Sequence, residues 1–293
     1  MSNPKEIKRR ILSIESVIKT TEAMKMISIV KLRKAKKFLI KGKIYLDSIE
    51  TILFDLLLFT ENKEKFEKNP FFSEKGRIKL FIVFTSDRGL CGSFNSSIFS
   101  KINHLFQKKG YLHNECLFFP IGKKGFDFLC KKKYNMYNQN WIDNNLSHTK
   151  IQFLVSEFIF GFLKEKFSSI YLIYNHLKKS SFQEVVIEKF LPITIQDFRK
   201  KTLGFSYILE PSQKEILNFI IPKFLNAKLL KIFWKSTTAE HTCRMISMHK
   251  ATENASDMKH DLILNYNKER QTTITKEILE IISGLESLNK KKE

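Results

Sequence analysis

The chain has 293 residues, of which 43% are hydrophobic, and it carries 51 Lys and Arg residues against 30 Asp and Glu residues. This composition excludes a disordered or fibrous protein and fits one large globular domain or two smaller ones. The formal net charge of +21 suggests an anionic partner, such as nucleic acid, a membrane surface or an acidic protein. However, the sequence is also rich in Phe, Ile and Asn and poor in Gly and Pro, as in a genome-wide residue bias, so charge alone identifies no partner.

The cysteine pattern predicts free thiols in a reducing compartment and no metal site. Cys91, Cys116, Cys130 and Cys243 form no CxxC pair and have no His at metal-ligand spacing. No segment reaches the roughly 18 uninterrupted apolar residues of a membrane span, and the N-terminus lacks the apolar core of a signal peptide. We therefore expect a soluble protein that meets a membrane only through partners.

Residues 1–60 are predicted to form one long helix from about residue 4, with Asn3 as its N-cap and Pro4 at the first helical position. A coiled-coil seam is indicated by apolar residues at steps of four, three and four, namely Ile7, Ile11, Ile14 and Ile18. Polar residues occupy the seam after Ile18, so we expect the packing to change there. The apolar stretch from Phe54 to Phe59 predicts that this helix docks on a globular body.

Residues 76–200 show short apolar runs that alternate with helical stretches. Predicted strands lie at 79–85, 116–121, 170–174 and 184–191. Such alternation is typical of a mainly parallel sheet with helices on both faces. The sequence therefore predicts an α/β fold in which a Rossmann-like three-layer α/β domain is inserted between the two terminal helices.

Residues 207–293 are predicted to form a second long helical part. Pro211 suits a helix start, whereas Pro222 is expected to interrupt the next helical stretch, so that the unbroken helix begins beyond it. The end of this helix carries apolar residues at coiled-coil spacing, which we call the apolar tip: Ile274, Ile278, Ile281, Leu285 and Leu288. Because the N-terminal isoleucines have the same steps, the two ends are predicted to pair as one long antiparallel coiled coil.

The segment Ser86–Gly92 lies between a predicted strand and a predicted helix, where Rossmann folds bind phosphate. It matches neither GxGxxG nor a P-loop, and Cys91 has no evident base to activate it as a nucleophile. We favour a structural turn in which Gly89 and Gly92 allow the tight bend and Cys91 is buried. The segment Gly122–Gly125 (GKKG) could also meet phosphate, but a plain strand-to-helix turn is the favoured interpretation.

A polar run, Arg270–Thr273, comes directly before the apolar tip. We call the polar residues between positions 270 and 275 the polar collar. Polar side chains at this level of a long helix favour directional hydrogen bonds to a partner, although solvated side chains are an equally good interpretation before any resemblance is considered.

The chain resembles the γ subunit of the F-type ATP synthase, of the bacterial type, in a series of motifs that occur in that family's order. They are IKRRILSIESVIKTTEAMKMISIVKLRKA near the N-terminus, SDRGLCGSFN, GKKG, YNHL and YILEPS in the middle, and EHTCRMISMHKATENASD and YNKERQTTITKEILEIISG near the C-terminus. The resemblance extends over the whole chain.

The resemblance implies a non-catalytic subunit without a cofactor. In this family the paired terminal helices form the central shaft inside a ring of three α and three β subunits, and the α/β domain meets the ε subunit and the ring of membrane c subunits. Proton or sodium flow turns this rotor, and rotation drives ATP synthesis on the β subunits. The implied location is the cytoplasmic face of the bacterial plasma (inner) membrane, as a peripheral protein; the absence of a transit peptide favours the same origin.

The resemblance also implies roles for individual residues. Arg270, Gln271 and Thr275 match positions that hydrogen-bond loops of the β subunit, and Met24 and Arg244 match positions important for coupling. The apolar tip would turn inside an apolar sleeve of the ring. Acidic loops of the β subunit would face a set of basic residues, namely Lys31, Arg33, Lys34 and Lys37. The sequence departs from the family at Ile29 and Val30, where small residues are usual, and in its charged NKKKE tail.

Two other functions remain open on the residues alone. One is a Rossmann-like enzyme that uses the loop from Asp87 to Gly92, and the other is a basic coiled-coil protein that binds nucleic acid. The even spread of basic residues, without a basic region followed by a zipper, counts against the second.

Overall fold

The structure is a computed structural model that describes residues 4–58, 69–109, 115–144, 146–178, 183–194, 209–210 and 212–289. Its elements in chain order are α1 (Pro4–Leu58), β1 (Lys79–Phe84), α2 (Phe94–Lys109), β2 (Cys116–Ile121), α3 (Lys123–Lys131), α4 (His148–Leu163), β3 (Ser169–Leu177), β4 (Gln183–Leu191) and α5 (Gln213–Asn289). Asn3, Phe59 and Pro211, which the sequence assigned to helix boundaries or docking, lie outside the described residues.

The chain forms two compact units. One consists of Met1–Ser28 with Met245–Glu293, and the other of Ile29–Arg244. Both long helices therefore contribute to both units. The limits 1–60, 76–200 and 207–293 divide the chain by element type and stay predictions.

The larger unit contains a four-stranded sheet in the order β2-β1-β3-β4. β1 pairs in parallel with both β2 and β3, whereas β4 runs antiparallel to β3. The mainly parallel sheet predicted from the sequence is therefore confirmed, with the last strand reversed.

Helices cover both faces of this sheet. Side chains of β1 alternate between the faces: Ile82 packs in a core with helices α1, α4 and α5, whereas Val83 packs in a core with α2 and α3. The first core contains Leu53 of α1, and the second contains Ile98 of α2. This arrangement confirms the predicted three-layer α/β architecture and places the end of β1 under the turn that leads to α2.

The prediction that the C-terminal helix begins beyond Pro222 is wrong. α5 runs without a break from Gln213 to Asn289, with Pro222 inside it. Proline removes one helical hydrogen bond and crowds the preceding turn. Here Leu217, Ile221 and Leu225 are buried on either side of it. Helices in proteins are stabilised mainly by such tertiary packing, which offsets the cost of the proline.

In the smaller unit, the terminal helices pair as predicted, but in another register. Lys259 Nζ lies 2.8 Å from Glu15 Oε1, and Thr252 Oγ1 donates a 2.8 Å hydrogen bond to Thr21 Oγ1. Residue numbers rise along α1 from 15 to 21 while those of their partners in α5 fall from 259 to 252, so the two helices are antiparallel. Continued at this register, the described start of α1 lies opposite roughly residue 270. The apolar tip therefore extends past α1 and does not pair with the N-terminal isoleucines.

Candidate functional site

The turn between β1 and α2 is held together by its own side chains. Asn95, in the first turn of α2, accepts a 3.0 Å hydrogen bond from the Ser86 backbone amide and donates a 2.6 Å bond to Ser86 Oγ. Two residues have left-handed backbone conformations, Leu90 with φ of +62° and Gly92 with φ of +58°. Gly92 thus occupies a position that favours glycine, whereas Leu90, and not Gly89, is the other strained residue of the turn.

The first backbone amides of α3 already have acceptors from the end of β1. Asp87 Oδ1 accepts from the Lys123 amide at 3.2 Å, the Ser86 carbonyl accepts from Lys124 at 3.1 Å, and Thr85 Oγ1 accepts from Gly125 at 2.9 Å. In a nucleotide-binding fold such helix N-terminal amides are the donors that hold phosphate. Here the protein itself uses them, so these three donors are occupied before any phosphate arrives.

The approach of α3 to β1 requires glycine. Gly122 has φ of +99°, and a Cβ added there would lie 2.2 Å from the Thr85 carbonyl oxygen. At Gly125 the corresponding Cβ would lie 2.6 Å from Thr85 Oγ1. The GKKG segment is therefore a close strand-to-helix turn, in which the glycines permit backbone contact.

Asp87 and Asp143 form a pair of acidic side chains beside this turn. Asp87 Oδ2 accepts a 3.1 Å hydrogen bond from the Asn144 backbone amide. The pKa of Asp87 is raised from its usual 3.8 to about 6. Burial is the largest cause, a hydrogen bond and charge repulsion from Asp143 add to it, and hydrogen bonds from the Asn144 and Lys123 backbone amides oppose it. A carboxyl of this kind is partly protonated near neutral pH.

Replacing Asp143 with Asn is expected to stabilise the protein at pH 8 but not at pH 4. The folded pKa of Asp87 exceeds its unfolded value, so its contribution to stability is complete below about 3.8 and is lost as the pH rises through about 6. Replacing Asp143 removes a carboxylate that raises the pKa of Asp87, so less stability is lost when Asp87 ionises. The measurement is the thermal midpoint at both pH values, with Asp127→Asn, an exposed position in α3, as the control. Equal shifts at pH 4 and pH 8 would contradict the assignment.

Arg244 fastens α5 to the same turn. Its guanidinium lies 2.8 Å from Glu240 Oε1 and donates hydrogen bonds of 3.0 and 3.4 Å to the carbonyls of Arg88 and Gly89. Its Nη1 also lies 3.2 Å from Nδ1 of His241. All of Glu240, His241 and Arg244 are buried. The group is thus a desolvated ion pair that connects one face of α5 to two backbone carbonyls of the turn.

The charges of this group follow from its surroundings. Burial raises the pKa of Glu240, and Arg244 opposes that rise. Burial, with the positive charges of Arg244 and Lys31, lowers the pKa of His241 to about 4, so this histidine is neutral near pH 7. Asn144 completes the network, since its side-chain amide donates a 2.6 Å hydrogen bond to the Thr85 carbonyl and a 3.4 Å hydrogen bond to Glu240 Oε2.

Within the part of the chain that the structure describes, no cluster of three or more potential metal ligands occurs.

The polar collar lies on the C-terminal helix of the smaller unit. Arg270, Gln271 and Thr275 are exposed, and the Thr275 hydroxyl donates to the Gln271 carbonyl at 2.9 Å. Arg270 and Gln271 therefore present their side-chain donors to solvent, whereas the threonine is already hydrogen-bonded within the helix.

The apolar tip is exposed as well. Ile274, Ile278, Ile281 and Leu285 are 47–64% exposed. The side chain of Leu288 lies outside the described set. Met24 is half-buried, and the four basic residues of α1 that were assigned to the β subunit are all exposed.

Comparison with known proteins assigns the family. The family profile described as ATP synthase matches residues 3–288. The ATP synthase gamma chain of Christiangramia forsetii is 38% identical over 292 residues, which cover 99% of this chain and 100% of the relative. That of Geotalea daltonii is 34% identical over 289 residues, covering 98% and 99%. The chain belongs to the ATP synthase gamma chain family.

Solved structures share the fold of this gamma chain family member. A chain of the Euglena gracilis mitochondrial ATP synthase, from the OSCP/F1/c-ring structure, superposes with a TM-score of 0.68 at 17% identity, covering 99% of this chain and 97% of that one. A chain of the Tetrahymena thermophila central stalk/c-ring structure has a TM-score of 0.56 at 20% identity and covers 79% of this chain. Among the described residues, no helix is both long and apolar enough to cross a membrane.

The sequence indicated Arg244 and the turn after β1 separately, and the structure brings them together. It did not find Asp143 or Asn144, which lie some 57 residues along the chain from Asp87 and in no recognised motif. Glu240 lies four residues before Arg244 in the EHTCRM motif. This spacing places the two charges on one face of a helix, and it could have predicted their ion pair. The polar collar and the apolar tip lie in the other unit.

Proposed function

We propose that this chain is the non-catalytic central-stalk rotor of an F-type ATP synthase, which couples proton or sodium flow to ATP synthesis on the β subunits. The α and β subunits would form the surrounding ring, and the ε subunit and the c-subunit ring would bind the α/β body. The observation that carries the proposal, beside membership of the gamma chain family, is the helix end with an exposed apolar tip directly after an exposed polar collar.

The two surfaces suit different tasks in a rotor. Apolar contact is non-directional, so its free energy changes little as the apolar tip turns inside an apolar sleeve. Hydrogen bonds depend on angle and distance, so Arg270 and Gln271 can bind a partner in one rotor orientation better than in another. Differential binding of this kind is what couples a rotation to the states of distant nucleotide sites.

The chain would lie at the cytoplasmic face of the bacterial plasma membrane and contact it through the complex. The finding that no described helix could span a membrane is consistent with such a peripheral position. Four exposed basic residues of α1 would bind acidic loops of the β subunit, which would account for part of the net positive charge. They are Lys31, Arg33, Lys34 and Lys37.

The enzyme alternative is disfavoured by the contacts of its own loop. Asp87 accepts hydrogen bonds from the Lys123 and Asn144 amides, and the Arg88 and Gly89 carbonyls accept hydrogen bonds from Arg244. Titrating ATP into the isolated chain tests it, since stoichiometric binding with turnover would support an enzyme. Salt-sensitive DNA binding at physiological ionic strength would support the nucleic-acid alternative.

Coexpression with α and β subunits tests the proposal directly. We expect a complex with three copies of each and one copy of this chain to elute together in size-exclusion chromatography. Elution of the chain apart from an assembled α and β ring would contradict the proposal.

Replacing Arg270 or Gln271 with Ala is expected to weaken ATP-driven rotation or assembly without changing the fold. Both side chains are exposed, so their removal leaves the isolated chain intact, whereas loss of one or two intermolecular hydrogen bonds at about 1 kcal/mol each corresponds to roughly a 5- to 30-fold effect. The measurement is coupled ATP synthesis in the assembled complex. Asn267→Ala, at an exposed amide one turn earlier, is the matched control. Normal coupled synthesis in both variants would overturn the assignment of the polar collar.

A further inference from the structure

Two cysteines that are far apart in sequence contribute to one core. Cys91, in the turn after β1, is 2% exposed, and Cys243, on α5, is half-buried. Cys91 belongs to the apolar cluster that also contains Phe94 and Ala239, and Cys243 packs against the same cluster. Both thiols are free.

Hydrogen bonds on both sides hold these two segments against each other. Arg244 donates to the carbonyls of Arg88 and Gly89, on the N-terminal side of Cys91. On the C-terminal side of Cys91, Gln183 connects the two segments. The Cys243 thiol donates a 3.0 Å hydrogen bond to Gln183 Oε1, and Gln183 Nε2 donates a 2.6 Å hydrogen bond to Ser93 Oγ. The backbone around Cys91 is therefore tied to α5 at the level of Cys243 both before and after the cysteine.

The two thiols also act on each other electrostatically. Burial raises the pKa of Cys243 to about 11, and after burial the largest cause is the negative charge of the Cys91 thiolate. This repulsion agrees with the shared core and the hydrogen bonds that hold the two segments together. A thiolate is the reactive form, so the Cys243 thiol is protected at neutral pH and reacts faster as the pH rises.

We propose that Cys91 and Cys243 are a disulfide-forming pair that oxidation by a peroxide joins, locking the turn to α5. One thiolate attacks a peroxide oxygen, which forms a sulfenic acid and releases hydroxide. The second thiolate then attacks the sulfenic sulfur, the S–S bond forms, and the sulfenic oxygen leaves as water after taking up a proton. The two thiols lose two hydrogen atoms in total, and the peroxide is reduced to two molecules of water.

The bond would close a loop across the whole α/β body, next to the ion pair of Glu240 and Arg244. Cross-links over long loops restrict the unfolded state most. The chemical step does not depend on the rotor function. If the chain is a rotor, the lock would stiffen the contact between α5 and the turn.

Peptide mapping of the full chain after treatment with hydrogen peroxide at pH 9 tests the pair. We expect one linked species that contains the peptides of Cys91 and Cys243, lighter by two hydrogen atoms than the sum of the two, and reversed by dithiothreitol. Buried Cys116 should remain available for alkylation after denaturation, and neither Cys116 nor Cys130 should occur in a linked peptide. The reaction should be markedly slower at pH 7, because fewer thiolates are present.

Single replacements complete the test. Cys243→Ser and Cys91→Ser should each abolish the linked species, whereas Cys130→Ser, at an exposed position, should leave it unchanged. The linked wild-type chain should unfold about 5 °C higher than the reduced chain, a shift that Cys243→Ser should lose. Oxidation that stops at Cys130, links two chains or leaves both thiols of the pair free would overturn the proposal, and this readout stays valid even if Cys91→Ser fails to fold.

Discussion

Replacing Gly122 with Ala is expected to lower the free energy of unfolding of the larger unit by about 4 kcal/mol or more. The added methyl group would sit 2.2 Å from the Thr85 carbonyl oxygen, which belongs to the backbone and cannot rotate away. The φ of +99° adds strain for any residue with a Cβ. The clash can be relieved only if α3 moves away from β1. That movement would break the hydrogen bonds that the α3 amides donate to Asp87, Ser86 and Thr85.

Urea unfolding of the isolated chain, followed by tryptophan fluorescence, measures this effect. Gly89→Ala is the matched control, because a Cβ at Gly89 meets nothing within 4 Å and its backbone lacks the strained φ. We expect that variant to stay within about 0.5 kcal/mol of the wild type. Similar midpoints for Gly122→Ala and Gly89→Ala would mean that the close approach of α3 to β1 does not exist in solution.

Replacing Arg244 with Met is expected to cost about 3 kcal/mol of stability at neutral pH and to reduce coupled ATP synthesis. The substitution keeps much of the volume but leaves Glu240 buried without its counter-charge, and it removes the donors to the carbonyls of Arg88 and Gly89. Burial already raises the pKa of Glu240, and without Arg244 only the more weakly acting charge of Lys31 opposes that rise.

The pH dependence separates this cause from a packing defect. A carboxyl whose folded pKa is above its unfolded value contributes stability that is complete below the unfolded pKa and is lost as the pH rises. The defect of Arg244→Met should therefore be small at pH 4 and larger at pH 7. The double variant Glu240→Gln with Arg244→Met should recover most of the loss at pH 7. A defect of equal size at both pH values, with no recovery in the double variant, would contradict the role of the ion pair.

Local patterns in the sequence were sufficient for much of the fold. A strand such as β1 is a short apolar run bounded by turn residues, and α1 has a helical apolar period, so both can be recognised without knowing what they contact. The three-layer order follows from the alternation of such elements, because a sheet and its helices must bury their apolar faces against each other. Family membership rests on motifs, which are local as well.

Long-range contacts decided the rest. Whether Pro222 ends a helix depends on how much apolar surface is buried around it, by Ile221 and Leu225 among others, and no local pattern reports that. The register of the terminal helices is set by pairs such as Glu15 with Lys259, since several registers satisfy the same apolar spacing.

By itself, the sequence determined most elements of this protein, its family and the order of polar collar and apolar tip along the C-terminal helix. Only the tertiary structure decided that Arg244 binds the carbonyls of the turn, that Asp87 caps α3 in place of a phosphate, and that Cys91 and Cys243 share a core. The reason is physical: helical and strand periods are encoded among neighbours, whereas these contacts join segments far apart in the chain and depend on how the layers pack.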